Sequence, residues 1–302
     1  MKTNFTAGFW RLADPKISLA SMASILLGTC AAAADGPIHW AWLAATIAGI
    51  FAIEVGKNAS GEVFDFDSGT DLAVAEGDRS PFSGGKRVMV DGLLTRGQTW
   101  LIAAVSYALG AAAGLLIALW REPSVLWLGL VGGACAFLYH APPVRLSYRG
   151  LGELAVALCY GPLICAGTYL VQRGQVTAPV LCLSLPLGLL VGAFLWINEF
   201  PDYLADRASG KNNLVVRLGR PLASRVFSGI LAWAFLLLLF LPAVGVPSRV
   251  WLAAAAAPPA FSAARRLMAH PESTPQIIPA QARTLLAFVL YAIGGGIGLL
   301  LG

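Results

Sequence analysis

Apolar runs the length of a membrane helix recur along this 302-residue chain, and they restrict its fold more than any other feature. A helix needs about 20 mostly apolar residues to cross a bilayer. Nine such segments can be laid on the sequence, over 17–34, 39–60, 98–119, 124–141, 151–171, 177–200, 222–244, 248–267 and 282–301. Charged residues are 12% of the chain, about half of the roughly 25% usual in soluble proteins. The expectation is therefore an all-α integral membrane bundle, one domain over 1–302, and not a soluble core. The apolar and small-residue stretch from Ser24 to Ala34 is read as the first span and not as a cleaved leader, because the residues before it are long and amphipathic for a leader.

The cations sort by loop. Lys2, Arg11 and Lys16 precede the first span; Lys57, Arg79, Lys86, Arg87 and Arg96 flank or fill the long 61–97 connection. Arg145 and Arg149 follow the fourth span; Arg207, Lys211, Arg217, Arg220 and Arg225 follow the sixth; Arg265, Arg266 and Arg283 surround the last connection. That places 18 on one side and leaves only Arg121, Arg173 and Arg249 for the other. By the positive-inside rule the N-terminus is cytoplasmic. The five cysteines lie in apolar runs without metal-like spacing and read as small core residues.

The acids are more informative still. Of 16 acidic residues, nine fall in or beside two windows, at Glu54, Glu62, Asp65, Asp67, Asp71 and Glu76, and at Glu199, Asp202 and Asp206. Residues four apart share a helix face, so Asn198, Asp202 and Asp206 form one stripe, and Asn58, Glu62 and Asp65 form another. Charge at a membrane edge is costly and is rarely placed there without a use. Neighbouring carboxylates repel unless a cation lies between them, and Mg2+ takes one or two carboxylates together with substrate phosphates. Pro201, which lacks an N–H, is expected to loosen the helix carrying the second window. The 61–97 connection holds Asp78-Arg79-Ser80-Pro81-Phe82-Ser83-Gly84-Gly85-Lys86-Arg87, whose glycines and cations suit a phosphate. A third segment runs from Tyr139-His140-Ala141-Pro142-Pro143 through Arg145 to Tyr148-Arg149-Gly150-Leu151-Gly152-Glu153.

Together these three motifs resemble the UbiA superfamily of intramembrane aromatic prenyltransferases over nearly the whole chain. Motif one is placed at 54–71 and motif two at 198–211, with Gly210-Lys211 and Leu214-Val215-Val216-Arg217-Leu218-Gly219 behind it. Within the superfamily the chain is most similar to the branch that prenylates 1,4-dihydroxy-2-naphthoate for menaquinone. The resemblance implies Mg2+-dependent transfer from a polyprenyl diphosphate to an aromatic acceptor, in a cell inner membrane with the site facing the cytoplasm. It implies catalytic roles for Glu62, Asp65, Asp202 and Asp206, and metal ligation by Glu62, Asp65, Asp67, Asp71, Asn198, Asp202 and Asp206. Substrate binding falls to Asn58, Asn198, Lys211, Arg145, Arg149, Tyr139, Lys86 and Arg87. One departure stands out: where the family usually has Asn-Asp, two residues and Asp, this chain reads Gly61-Glu62-Val63-Phe64-Asp65. Asn58, one turn earlier, is the candidate to cover the missing Asn.

Other residues keep two readings. Glu54 either deprotonates the acceptor hydroxyl or pairs with Lys57. His140 is the one histidine near the chemistry. Phe194, Trp196 and Phe200 are candidates to line the entry of the prenyl tail, and Gly294-Gly295-Gly296 reads as a close-packing device. No nucleic acid or obligatory protein partner is expected. The same chemistry on 4-hydroxybenzoate, homogentisate or a glycerol-phosphate lipid is the near alternative. A cation-coupled transporter is the distant one, but its ion site would belong near the midplane and not at helix ends.

Overall fold

The computed structural model of this chain describes residues 4–302, and its regular elements are helical. In order they are α1 (Phe5–Ala13), α2 (Pro15–Asp35), α3 (Trp40–Asp67), α4 (Thr70–Ala73), α5 (Arg96–Trp120), α6 (Val125–Leu138) and α7 (Gly152–Leu158). There follow α8 (Ile164–Arg173), α9 (Ala178–Ala208), α10 (Leu214–Leu218), α11 (Arg220–Phe240), α12 (Ala257–Ala269) and α13 (Thr274–Leu301). Lys2, counted above with the N-terminal cations, lies outside the described residues.

Seven helical stretches among the described residues are long and apolar enough to cross a membrane: α1–α2, α3, α5, α7–α8, α9, α11 with its short 3₁₀ extension, and α13. Two of the nine expected segments fall short of that length. Helix α6 has 14 residues. The 248–267 segment divides into a 3₁₀ stretch, Ser248–Ala256, and α12. Pro258 and Pro259 account for the division, because neither can donate to the carbonyls of Ala254 and Ala255. Pro162 acts similarly between α7 and α8, where a π-turn spans Cys159–Leu163. Pro201, in contrast, sits inside a helix that continues through it to Ala208.

Helices α3 and α9 run seven and eight residues past their expected ends at 60 and 200. Hydropathy falls where their polar residues begin, but Glu62, Asp65, Asp202 and Asp206 among them face the protein interior and not lipid. The bundle is accordingly apolar outside, and its buried acids gather at one end of an otherwise apolar interior. Trp127, Leu119 and Phe261 are about 70% exposed (71%, 71% and 71%), while Glu62, Asp71 and Asp206 are almost fully buried.

The five cation-rich connections meet at one end of the bundle. Arg11 pairs with Asp91, Lys16 donates to the Pro81 carbonyl, Arg217 donates to the Arg149 carbonyl, and Thr274 donates to Asp78. The three remaining arginines cap carbonyls at the other end: Arg121 reaches Val171 and Gln172, Arg173 reaches Gly36 and Pro37, and Arg249 reaches Leu301. The main core surrounds α9 and α13 and includes Phe227, Phe288 and Tyr291. Trp196 and Phe200, expected at the tail entry, belong to it: Phe200 is fully buried and Trp196 Nε1 donates to the Ala223 carbonyl at 3.0 Å.

The glycines of α13 let the 248–256 stretch approach its backbone. A Cβ on Gly294 would stand 2.4 Å from the Leu252 carbonyl oxygen, and one on Gly298 would stand 2.1 Å from that of Arg249. Gly298→Val should therefore overpack this contact at a cost of about 1–3 kcal/mol. The expected result is thermal unfolding several degrees lower, followed by tryptophan fluorescence in detergent.

Candidate active site

Helices α3 and α9 present their polar stripes to one cavity of about 600 Å3. Asn58, Glu62 and Asp65 line it from α3, and Asn198, Asp202 and Asp206 line it from α9. The long connection folds over the cavity. Phe82 packs edge-on against Phe194, ring centroids 5.8 Å apart, and the Gly84 N–H donates to Asp202 Oδ2 at 3.1 Å. Gly85 takes a left-handed conformation (φ +75°) directly against Asp71, where a Cβ would lie 2.1 Å from Oδ1. Only glycine lets the loop approach that carboxylate so closely.

Lys211 ties the motifs together. Its Nζ lies 3.7 Å from Asp65 Oδ2 and 3.6 Å from Asp206 Oδ1. Burial pulls the Lys211 ammonium toward neutrality, but Asp206 and Asp65 together hold its pKa well above the usual lysine range. Asp65 also accepts from the Tyr148 hydroxyl at 3.1 Å. Among the described residues no cation pairs with the Asp71 carboxylate within 4.0 Å; burial, then Asp65 and Glu62, push its pKa up to about 8, against a smaller opposing pull from Lys211. A bound cation would restore the charge on that carboxylate.

Several carboxylate oxygens are buried without a hydrogen-bond partner: Glu62 Oε2, Asp71 Oδ2, Asp202 Oδ1, Glu199 Oε2 and Glu153 Oε2. The first four belong to residues that line the cavity. Among the described residues, no three His, Cys, Asp or Glu side chains stand close enough to hold a metal ion unaided. The free oxygens instead approach from both helices, which suits an ion shared with an anionic ligand.

Of the cations expected to bind substrate, Lys86, Arg87 and Lys211 line the cavity, as does Tyr139. Lys86 meets Asp14, and Arg87 donates to the Asp71 carbonyl at 2.5 Å. Asn58 and Asn198 also line it, but their amides brace the helices: Asn58 Nδ2 donates to the Leu12 carbonyl, and Asn198 Oδ1 accepts from Gln281.

Three expected site residues are not brought to the cavity. Asp67 is two residues past Asp65, roughly 200° around the helix, and pairs with Arg96 at 2.8 Å on the outer face. Arg145 lies over the Tyr148 ring, and Arg149 donates to the Pro143 carbonyl at 2.9 Å. Their segment braces motif two: the Tyr148 carbonyl accepts from Asn212, and Glu153 accepts from the Leu214 N–H. Asp67→Asn should therefore retain activity within about threefold, since exposed ion pairs contribute roughly 0–1 kcal/mol; prenyl transfer rates at saturating substrate check this.

The structure also shows what fills the place of the missing Asn. A Cβ on Gly61 would lie 2.6 Å from His140 Cε1, so the imidazole occupies the space a side chain at 61 would take. His140 Nε2 is 3.5 Å from Asp65 Oδ2. The space beside Gly61 is thus filled by a histidine 79 positions on (61 to 140), while Asn58, the residue expected to cover the missing Asn, lines the same cavity one turn earlier. His140 was expected near the chemistry, whereas Tyr148 and Glu199 were given no role of their own: Tyr148 stood in the quoted third motif, and Glu199 stood among the clustered acids.

Comparison with known proteins gives the same frame. The profile of the UbiA prenyltransferase family matches residues 21–289. The 1,4-dihydroxy-2-naphthoate octaprenyltransferase of Mycobacterium tuberculosis is 33% identical over 238 residues, 76% of this chain and 77% of that protein. The Bacillus subtilis protein of the same name is 26% identical over 244 residues, covering 80% and 76% of the two chains. A UbiA homolog from Archaeoglobus fulgidus, bound to GPP and Mg2+, superposes with a TM-score of 0.59 at 15% identity, over 98% of this chain and 100% of that one. A family profile that covers most of the chain, on a multi-pass helical frame, makes this protein a prenyltransferase of the UbiA family.

Proposed function

We propose that the cavity between α3 and α9 transfers a polyprenyl group from its diphosphate to 1,4-dihydroxy-2-naphthoate, releasing diphosphate. The observation that carries this reading is the shared cavity, in which unpartnered carboxylate oxygens from both motifs stand beside Lys86, Arg87 and Lys211. The names of the Mycobacterium and Bacillus relatives support the acceptor. The GPP and Mg2+ bound by the Archaeoglobus homolog support the donor and the metal.

Glu62, Asp71 and Asp202 would hold Mg2+ through their free oxygens, with Asp65 and Asp206 behind them. The ion would offset negative charge on the diphosphate as it leaves. Lys211, Lys86 and Arg87 hold the same charge from the protein side. When the allylic C–O bond breaks, its electron pair departs with the diphosphate. A ring carbon of the acceptor supplies the pair for the new C–C bond, and the ring regains aromaticity by losing its carboxylate as CO2 or a proton. The apolar walls and the Phe82–Phe194 contact keep water from the allylic cation.

In the bilayer we read nine crossings, with α6 and the 248–267 segment completing the seven longer stretches. The N-terminus and the cavity mouth then face the cytoplasm of an inner membrane, and the whole chain acts as one domain. The deciding experiment gives the purified protein one long-chain prenyl diphosphate and a panel of acceptors, followed by mass spectrometry. Prenylated naphthoquinol as the dominant product supports the reading. A dominant product from 4-hydroxybenzoate, homogentisate or a glycerol-phosphate lipid overturns the acceptor, and no transfer to any acceptor overturns the function.

A further inference from the structure

Helix α3 carries two opposite charges one turn apart, Glu54 and Lys57, and that spacing leads one to expect an ion pair. The structure shows otherwise. Both oxygens of the buried Glu54 are taken by hydroxyls: Tyr160 donates at 2.8 Å and Ser21 at 3.0 Å. Among the described residues no carboxylate lies within 4.0 Å of the Lys57 ammonium, which also donates no hydrogen bond. It faces the ring of Tyr139, 5.0 Å from the centroid. Because α3 continues to Asp67, this cation lies about 15 Å inside the helix end and not in the connection after it.

Lys57 also stands where two cavities meet. A second cavity of about 200 Å3, almost wholly apolar, lies beside the polar one, walled by residues such as Ile53, Gly110, Leu128 and Gly132. Lys57, Tyr139, Val156 and Tyr160 line both. A ligand with a charged head and an apolar tail, lying through both, has the carbon that joins them at this neck. Any acceptor that attacks that carbon must come to the same place.

The other cations of the polar cavity are engaged or lie at its rim. Lys86 meets Asp14, Lys211 meets Asp65 and Asp206, and Arg11 and Arg87 meet Asp91. Lys16 donates to the Pro81 carbonyl, and Arg79 is exposed at the surface. Lys57 is therefore the half-buried cation without a counter-charge, in a setting where an unpaired ammonium is costly. An anion bound at the neck supplies what the protein leaves out.

We propose that Lys57 is the counter-charge for an anionic aromatic acceptor, holding the ring carboxylate at the neck between the two cavities beside Tyr139. This deepens the function proposed above and rests on it. It adds a specificity-determining residue that belongs to neither acidic stripe.

The test compares 1,4-dihydroxy-2-naphthoate with 1,4-dihydroxynaphthalene, which lacks the carboxylate. Equilibrium binding is read by quenching of tryptophan fluorescence, and turnover by product formation with one long-chain prenyl diphosphate. The wild-type protein should bind the carboxylated acceptor roughly tenfold or more tightly, the range of one charge-assisted contact. Lys57→Met should abolish that preference and raise the acceptor KM by a similar factor. The KM for prenyl diphosphate should stay within about twofold, and Lys57→Arg should keep the preference. Retention of the preference in Lys57→Met overturns the proposal. So does a loss that falls on the prenyl diphosphate KM, which would assign Lys57 to the leaving group. Wild-type protein that transfers to both acceptors without preference overturns this inference and leaves the function standing. Wild-type protein that prenylates neither these nor any other aromatic acceptor overturns the function itself.

Discussion

Asp202→Asn leaves a protein that inserts and folds like the parent but transfers prenyl groups at least a hundredfold more slowly. The substitution keeps the shape of the side chain, and its remaining oxygen can still accept from the Gly84 N–H. What it removes is the charge behind the buried, unpartnered Oδ1 that faces the cavity. Preorganised charge at a developing anion commonly contributes a factor of about 10²–10³. Folding does not suffer, because one of several crowded carboxylates has been neutralised. Release of labelled pyrophosphate measures the rate, and size-exclusion elution with thermal unfolding measures the fold. Near-normal release would remove Asp202 from the machinery.

Lys211→Met should have a comparable effect on turnover and a second, independent one on stability. Lys211 is the cation that spans motif one and motif two, with Asp65 and Asp206 each within 3.7 Å. Removing one partner of a buried ion pair leaves an uncompensated charge and costs roughly 3–5 kcal/mol. Here two carboxylates lose the same partner. The variant should unfold several degrees lower, and added Mg2+ should raise its midpoint by more than it raises that of the wild type. Activity should fall about a hundredfold, since the proposed function sets the same ammonium against the diphosphate. Thermal scans with and without Mg2+, beside pyrophosphate release, check both arms. An equal Mg2+ response in the two proteins would contradict the role given to Lys211.

The acidic stripes were legible because so little else in the chain is charged; Asn198, Asp202 and Asp206 declare one helix face by spacing alone. The extent of α3 and α9 was not. Hydropathy reads a helix as ending where polar residues begin, and it cannot tell a polar residue facing a loop from one facing an internal cavity. That error put Lys57 at the edge of the connection when it lies in the wall of the bundle. Asp67 is a different case: its position two residues after Asp65 already placed it on the opposite face, and the structure pairs it there with Arg96. Arg145 and Arg149 read as substrate cations because they are basic and near the motifs; only the folded chain shows their side chains turned to Tyr148 and Pro143. Pro258 and Pro259 carried a visible signal for the break in the 248–267 segment, and that signal was outweighed by the apolar count. The packing of His140 over Gly61 joins positions far apart in sequence, and no local pattern announces it.

The central claim is that the two acidic stripes grip one metal-bound diphosphate between them. It is tested most directly by crystals grown with Mn2+ in place of Mg2+ and a non-cleavable prenyl thiodiphosphate, examined by anomalous scattering. The account predicts manganese peaks inside the cavity, between the carboxylates of Glu62 and Asp71 on one side and Asp202 on the other, with the diphosphate bridging them toward Lys211. A diphosphate held by the basic residues with no metal beside it, or metal bound to one stripe alone, would contradict it.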